Sequence, residues 1–404
     1  MPPLIKRLGW ALLLAAPSCW ASFTIPGLEL VHTVPEATAL QTPDLRSPAN
    51  VWAEAFDGAR ERIDIEQFYA AAVPGSALSE VLEHLRRAGE RGVKIRFLLE
   101  EKGLKLSEAS TLEQLKAIPN LTFHTLAYAQ VGGGIIHAKF FVVDGQRAFI
   151  GSQNFDWRSL AHIHETGLWV TDATIAGQAQ AIFDQDWAAQ AALAAGQPVP
   201  VPAASAAPAE PPAHYLIASP ARFNPPGVRD SQRELPRLLA QAQHEVRVQL
   251  LDYAPLSYGP NHTRPYYPLI DNALREAAAR GVQVKLMVSD WNLGEPELPW
   301  LQSLARVPNV QVRIVTLPRA PQGFIPYARV IHSKTMEIDG AVAWVGTSNW
   351  LGGYLDTSRN LEVVMRNPAM AGRIGQLHAQ LWDGPYAKPL EVVGVYPRPH
   401  PGVP

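Results

Sequence analysis

The stretch that decides the fold is IIHAKFFVVDGQRAFIG, residues 135–151, together with its second copy VIHSKTMEIDGAVAWVG, residues 330–346. Each carries His-x-Lys, four further residues, Asp-Gly, and then a Gly-Ser/Thr-x-Asn segment. The first set is His137, Lys139, Asp144, Ser152 and Asn154; the second is His332, Lys334, Asp339, Thr347 and Asn349. Identical internal spacing in two copies excludes chance. Asp-Gly between two apolar runs predicts a β-hairpin with a tight turn. Residues i and i+2 of a strand share a face, so each His is expected beside its Lys. The returning strand then brings the Gly-Ser/Thr-x-Asn segment back past that pair.

The repeat extends outward from the hairpins. In the first half come a helical stretch near Ala53–Arg62, the strand-like RIDIEQFYA, the amphipathic ALSEVLEHLRRAGERG and the apolar VKIRFLL. In the second, ELPRLLAQAQ, EVRVQLLDYA, PLIDNALREAAARG and VQVKLMVS follow in the same order. Both halves then pass through Pro-Asn into another strand, and both close on a helix ending in Trp, IFDQDW and LHAQLW. Strands alternating with long helices predict α/β architecture, here two similar α/β/α sandwich domains. We place them at residues 40–187 and 214–390. Residues 188–213, rich in Ala and Pro and nearly free of charge, read as a linker. Residues 391–404 read as a tail, frayed from Tyr396 to Pro404.

Composition narrows the class. Hydrophobic residues make up 47% and charged residues 18% of 404, which excludes a disordered or fibrous chain. The net charge of −2 argues against a protein that coats nucleic acid through bulk charge. Lys6 and Arg7, the apolar run Leu8–Ala16, and Cys19-Trp-Ala21 have the layout of a secretory signal over residues 1–21. The apolar run is too short to span a bilayer. Cleavage after Ala21 would remove the single cysteine, Cys19, and leave an exported chain, periplasmic or secreted, without a thiol.

The hairpin residues carry chemistry. Two half-sites facing each other would surround a phosphate with two imidazoles, two cations and neutral donors. One imidazole can attack phosphorus while the other protonates the leaving oxygen and later deprotonates water or an alcohol. Lys139 and Lys334 would neutralise the non-bridging oxygens, so no metal or other cofactor is called for. Asn154 and Asn349 are expected to bind the phosphate, and the Ser152 and Thr347 hydroxyls either to bind it as well or to donate from behind the groups that do. Asp144 and Asp339 are read either as part of the catalytic set or as turn formers. Eleven residues after Asn154 stands Glu165, and eleven after Asn349 stands Asn360. A carboxylate on the far nitrogen of an imidazole fixes its tautomer and raises its basicity. Glu165 is therefore expected to support a catalytic His, the other site using Asn360 or borrowing Glu362.

This pattern resembles the duplicated His-Lys-Asp motif of the phospholipase D superfamily. The resemblance implies a single active site at a pseudo-two-fold interface and a covalent phosphohistidine. It makes His137 the nucleophile and His332 the general acid. The segments LLDYAPLSYG, IPYARVIHSKTMEIDG and GTSNWLGGY look like the animal lysosomal branch, the phospholipase D3- and D4-like proteins. That branch implies 5′-exonuclease action on single-stranded nucleic acid, or phospholipid transphosphatidylation. The partner expected is thus a phosphodiester, nucleic acid or phospholipid. Tyr69, Tyr253, Tyr258, Tyr266, Tyr267, Tyr327, Trp350 and Tyr354 are candidates to hold either one. Arg329 is a candidate for a further phosphate or for a structural carboxylate.

Overall fold

A computed structural model describes residues 22–203, 210–259, 261 and 263–403. The expected signal, residues 1–21, lies outside the described residues. Two mixed sheets dominate. The first orders its strands Thr24–Ile25, Leu28–Thr33, Glu165–Val170, Arg147–Gly151, Phe140–Val143, Arg62–Gln67, Lys94–Glu100 and Leu121–Leu126. The second runs Arg229–Asp230, His214–Ser219, Asn360–Arg366, Val342–Gly346, Thr335–Ile338, Glu245–Gln249, Gln283–Ser289, Val310–Val315 and Ala387–Pro389. In both, three consecutive strands are parallel and the hairpin strands antiparallel. The repeat read in the sequence is thus a repeat of strand order.

Local chemistry places the helices. Ser47 caps Pro48–Asp57 by accepting from the Asn50 N–H, and Ser76 caps Ala77–Glu90 by accepting from the Ser79 N–H. Such caps stabilise a helix by about 1 kcal/mol. The apolar stripe Leu78, Val81, Leu82 and Leu85 is buried against the first sheet. Helices Ala173–Ala194 and Pro368–Trp382 lie between the two sheets, and one apolar core runs through Ile150, Leu168, Phe183, Val345, Val363 and Ile374. The two halves are therefore joined by a shared core.

Three boundaries differ from the sequence reading. The first sheet begins at Thr24, ahead of residue 40, because the strand Leu28–Thr33 pairs with Glu165–Val170. The helix that was expected to end at Trp187 continues to Ala194, since its alanines are the best helix formers. The tail is docked rather than frayed. Gln302 Nε2 donates to the carbonyls of Glu391 and Gly394, and the Tyr327 N–H donates to the Pro401 carbonyl at 2.7 Å. Proline-rich chain has little entropy to lose, and its carbonyls remain free to accept. Among the described residues no helix is long and apolar enough to cross a membrane.

Candidate active site

Each Asp-Gly turn has the form its sequence demands. Asp144 and Gly145 have φ of 53° and 69°, Asp339 and Gly340 of 54° and 66°, the double left-handed geometry of a hairpin turn. The Asp144 carboxylate accepts from the backbone N–H groups of Arg60, Glu61 and Arg62. Asp339 accepts from those of Gln243, His244 and Glu245. Both therefore stand at the far end of the hairpin from the His-x-Lys segment, five residues or about 16 Å away along the chain. This corrects their inclusion in the catalytic set: they clamp the loop that enters the central strand of their own sheet.

The His-x-Lys segments precede the hairpin strands instead of lying within them. Phe140 and Thr335 are the first strand residues. The freed backbone groups cross to the other half. The N–H groups of His137 and Ala138 donate to the Arg359 carbonyl at 2.9 and 2.8 Å; those of His332 and Ser333 donate to the His164 carbonyl at 2.8 and 3.0 Å. Gly134 permits the first crossing, since a Cβ there would lie 2.3 Å from the Ser358 hydroxyl.

The side chains cross as well. His332 Nδ1 lies 2.8 Å from Glu165 Oε2, and His137 Nδ1 lies 3.1 Å from Asn360 Oδ1. Each histidine is held by the residue that follows the other half's motif. The Asn360 amide donates through Nδ2 to the Tyr354 carbonyl at 2.8 Å, so its oxygen faces His137 and accepts from Nδ1–H. That leaves His137 Nε2 unprotonated. Glu362, considered as an alternative partner, instead accepts from the Ser231 and Ser348 hydroxyls.

Ser152 and Thr347 are completely buried and turned inward. The Ser152 hydroxyl accepts from the Thr166 N–H at 3.0 Å. Thr347 accepts from the Leu361 N–H at 3.1 Å and donates to Asn360 Oδ1 at 2.8 Å. This corrects the expectation that they bind substrate: their hydroxyls are used up fixing the strands that carry Glu165 and Asn360. Asn154 and Asn349 do reach the cleft. Asn154 Oδ1 and Asn349 Nδ2 are buried without a hydrogen-bond partner among the described residues.

Lys139 and Lys334 are fully buried, and each ammonium donates to the carbonyl of its own histidine. Burial and then Lys334 push Lys139 well down; burial pushes Lys334 down to about 7, against Glu165 and Asp252. Burial, Lys139 and Lys334 push His137 well below an ordinary imidazole, and burial, Lys334 and Lys139 do the same to His332. Burial lifts Glu165 to about 7, against the pull of Lys334 and of the Ser152 and Ser159 hydroxyls. Buried cations with so few partners are costly. The site is built to receive an anion.

A cleft of about 720 Å³ opens onto His137, His332, Asn154 and Asn349. Its walls are Phe68, Tyr69, Trp157, Trp291, Tyr327 and Tyr354, with Lys105 and Arg158 at its edge. The His137 ring meets Tyr354 edge-on at 4.5 Å and Phe68 at 5.8 Å. Of the aromatic candidates, Tyr69, Tyr327 and Tyr354 line the cleft. Tyr258 packs on Tyr354, and Tyr266 stacks on Trp300. Tyr253, bonded to Asp271 at 2.6 Å, and Trp350 are core residues, and Tyr267 packs against that same core. Arg329 donates to the carbonyls of Pro318 and Glu36 at 2.6 and 2.7 Å and holds a loop. Sequence reasoning missed Phe68, Trp157, Trp291, Lys105 and Arg158. They sit on four separate segments, Trp157 and Arg158 being neighbours on the short helix Trp157–Ala161, and carry no pattern.

Two mixed sheets meeting across paired His-x-Lys segments define a duplicated phosphodiesterase scaffold. The family model described as "Cardiolipin synthase, PLD-like domain" matches residues 53–187 and 235–382, well over half the chain. The chain belongs to this phospholipase D-like family and is an enzyme of the phosphodiesterase class. It is similar to "5'-3' exonuclease PLD3" of Xenopus laevis, with 30% identity over 387 residues, 87% of this chain and 77% of that protein. It is also similar to "Phospholipase D Z" of Dictyostelium discoideum, with 29% identity covering 90% of each. The fold matches phosphatidylserine synthase of Haemophilus influenzae with a TM-score of 0.63 at 13% identity, covering 93% of this chain and 90% of that one.

Proposed function

We propose that this enzyme cleaves phosphodiesters through a covalent phosphohistidine on His137, with His332 as the proton donor and acceptor. The observation that carries the reading is the unlike pairing of the two imidazoles, Asn360 on His137 and Glu165 on His332. A neutral amide leaves His137 uncharged with a lone pair on Nε2, the form a nucleophile needs. A carboxylate favours the imidazolium of His332, the form an acid needs. An entering phosphodiester offsets the two lysines that oppose that proton. His137 Nε2 then bonds to phosphorus as the ester P–O bond breaks, and the leaving oxygen takes the His332 proton. Water next gives its proton to His332 and its oxygen to phosphorus, and the P–N bond breaks. Lys139, Lys334, Asn154 and Asn349 hold the non-bridging oxygens throughout, in place of a metal ion.

For the substrate we favour single-stranded nucleic acid, cut from the 5′ end. The cleft's aromatic faces suit unstacked bases, each such contact contributing about 1–3 kcal/mol, and Lys105 suits a second phosphate. The relative in Xenopus laevis bears the name of a 5′-3′ exonuclease. A phospholipid is the second reading, favoured by Leu106 and Tyr327 at the cleft mouth, 52% and 54% exposed. The test is a 3′-labelled single-stranded oligonucleotide in excess EDTA, with His137→Ala alongside. A ladder shortening from the 5′ end, absent in the variant, is expected. No cleavage of DNA or RNA, with headgroup release from phospholipid vesicles, would move the assignment to lipid. Export of the chain, inferred from the pattern at residues 1–21, is checked by the N-terminal residue of the protein recovered from the cell envelope or medium.

A further inference from the structure

The mechanism leaves one pair of buried imidazoles unused. His32, on the strand Leu28–Thr33, and His164, immediately before Glu165, are 2% and 1% exposed, and their Nε2 atoms are 3.1 Å apart. Two such nitrogens can share only one hydrogen, and the surroundings dictate which carries it. Gln249 Nε2, which can only donate, lies 3.0 Å from His164 Nδ1. His164 therefore accepts at Nδ1 and carries its hydrogen on Nε2. His32 accepts that hydrogen and keeps its own on Nδ1, 3.3 Å from the Thr42 hydroxyl. A directed chain runs from Gln249 through His164 and His32 to Thr42, neutral throughout.

The chain meets the second half-site at His164. The His164 carbonyl accepts the N–H groups of His332 and Ser333, and its ring meets the Ser333 hydroxyl at 3.1 Å. The next residue, Glu165, takes His332 Nδ1. We propose that His32 and His164 are positioning residues for the proton donor: by fixing one tautomer and one orientation of His164 they fix the backbone that holds His332 from one side and the carboxylate that holds it from the other. Neither ring lines the cleft that holds the reacting groups. The inference rests on the reading of His332 as the proton donor.

The experiment compares kcat/KM, which reads formation of the phosphoenzyme, for p-nitrophenyl and phenyl diesters of the same phosphate. The first leaving group departs without a proton and the second needs one. In His332→Ala the ratio of the two kcat/KM values should rise by about 10²-fold, within the range for a lost general acid. In His32→Leu, which removes the acceptor, it should rise by about 10-fold, as for a lost outer partner. His32→Gln, whose Oε1 can accept in the same place, should restore the wild-type ratio. Gln249→Leu, which removes the donor at the other end, should act like His32→Leu and stands in for it if that variant does not fold. A wild-type ratio in folded His32→Leu or Gln249→Leu, with the ratio raised in His332→Ala, overturns the positioning role. An unchanged ratio in His332→Ala overturns the assignment of the proton donor itself.

Discussion

The two half-sites share a backbone and differ in charge. In both, the residue before the histidine's partner offers its carbonyl to two N–H groups of the opposite motif. In the first half-site that residue is Arg359, fully buried, its guanidinium bidentate on Asp186 at 2.6 and 2.9 Å and reaching the Ser219 and Phe223 carbonyls. In the second it is His164, held by His32 and Gln249. An ion pair anchors the side of His137 and a neutral imidazole pair the side of His332. The partners invert this: neutral Asn360 on His137, acidic Glu165 on His332. Duplication supplied two equivalent scaffolds, and a few side chains divided the labour between them.

The histidines themselves give the largest contrast. His137→Ala should abolish turnover of every phosphodiester. His332→Ala should lose about 10²–10⁴-fold on an alkyl leaving group yet still form phosphoenzyme from a p-nitrophenyl ester. Intact-mass measurement after rapid quench reads this directly, and phosphoenzyme in His137→Ala but not in His332→Ala would exchange the roles. Next come the lysines. Lys139→Ala and Lys334→Ala should each cost about 10²–10³-fold in kcat, by steady-state kinetics. A tenfold discrepancy between them would show that the phosphate sits closer to one half.

The partners should have smaller effects of opposite sense. Glu165→Gln should cost about 10–100-fold. It should also move the alkaline limb of the rate profile to lower pH, because His332 gives up its proton sooner without the carboxylate. Asn360→Asp should move the acid limb to higher pH, because a carboxylate lets His137 hold a proton where it must be bare. Shifts of the same limb in both variants would break the proposed division. The turn aspartates should have the smallest effect on rate. Asp144→Ala should leave kcat within about twofold while lowering unfolding free energy by about 1–3 kcal/mol, the cost of orphaned backbone donors. Partial burial pushes Asp144 up, but three backbone N–H groups prevail and hold it below an ordinary carboxylate. Its contribution is therefore present above pH about 4 and is lost as the pH falls through the lowered value. Thermal melts at pH 7 and pH 3 should show wild type and variant converging in acid.

The hairpins, their turns and the order of strands and helices were legible in the sequence, because turn type and apolar period are local properties. Asp-Gly dictates two left-handed residues wherever it stands between strands. The catalytic candidates were legible for a different reason: duplication printed them twice at one spacing. The cleft wall was not legible. Phe68, Trp157 and Trp291 are close only because separate segments converge on one cleft. Ser152 and Thr347 sit beside Asn154 and Asn349 in the chain, yet they face inward while the asparagines face the cleft, a choice made by the neighbouring strand's unsatisfied backbone.

By itself the sequence determined a duplicated α/β enzyme with two His-x-Lys motifs and an unlike pair, Glu165 and Asn360, at matched positions. Tertiary structure decided which histidine each of them serves. Spacing along the chain would assign Glu165 to His137, its own half, but the His-x-Lys backbone leaves its sheet before the hairpin begins and finds its hydrogen bonds across the interface. Backbone N–H groups without a partner in their own sheet must find one elsewhere, and that requirement alone delivers the carboxylate to the opposite imidazole.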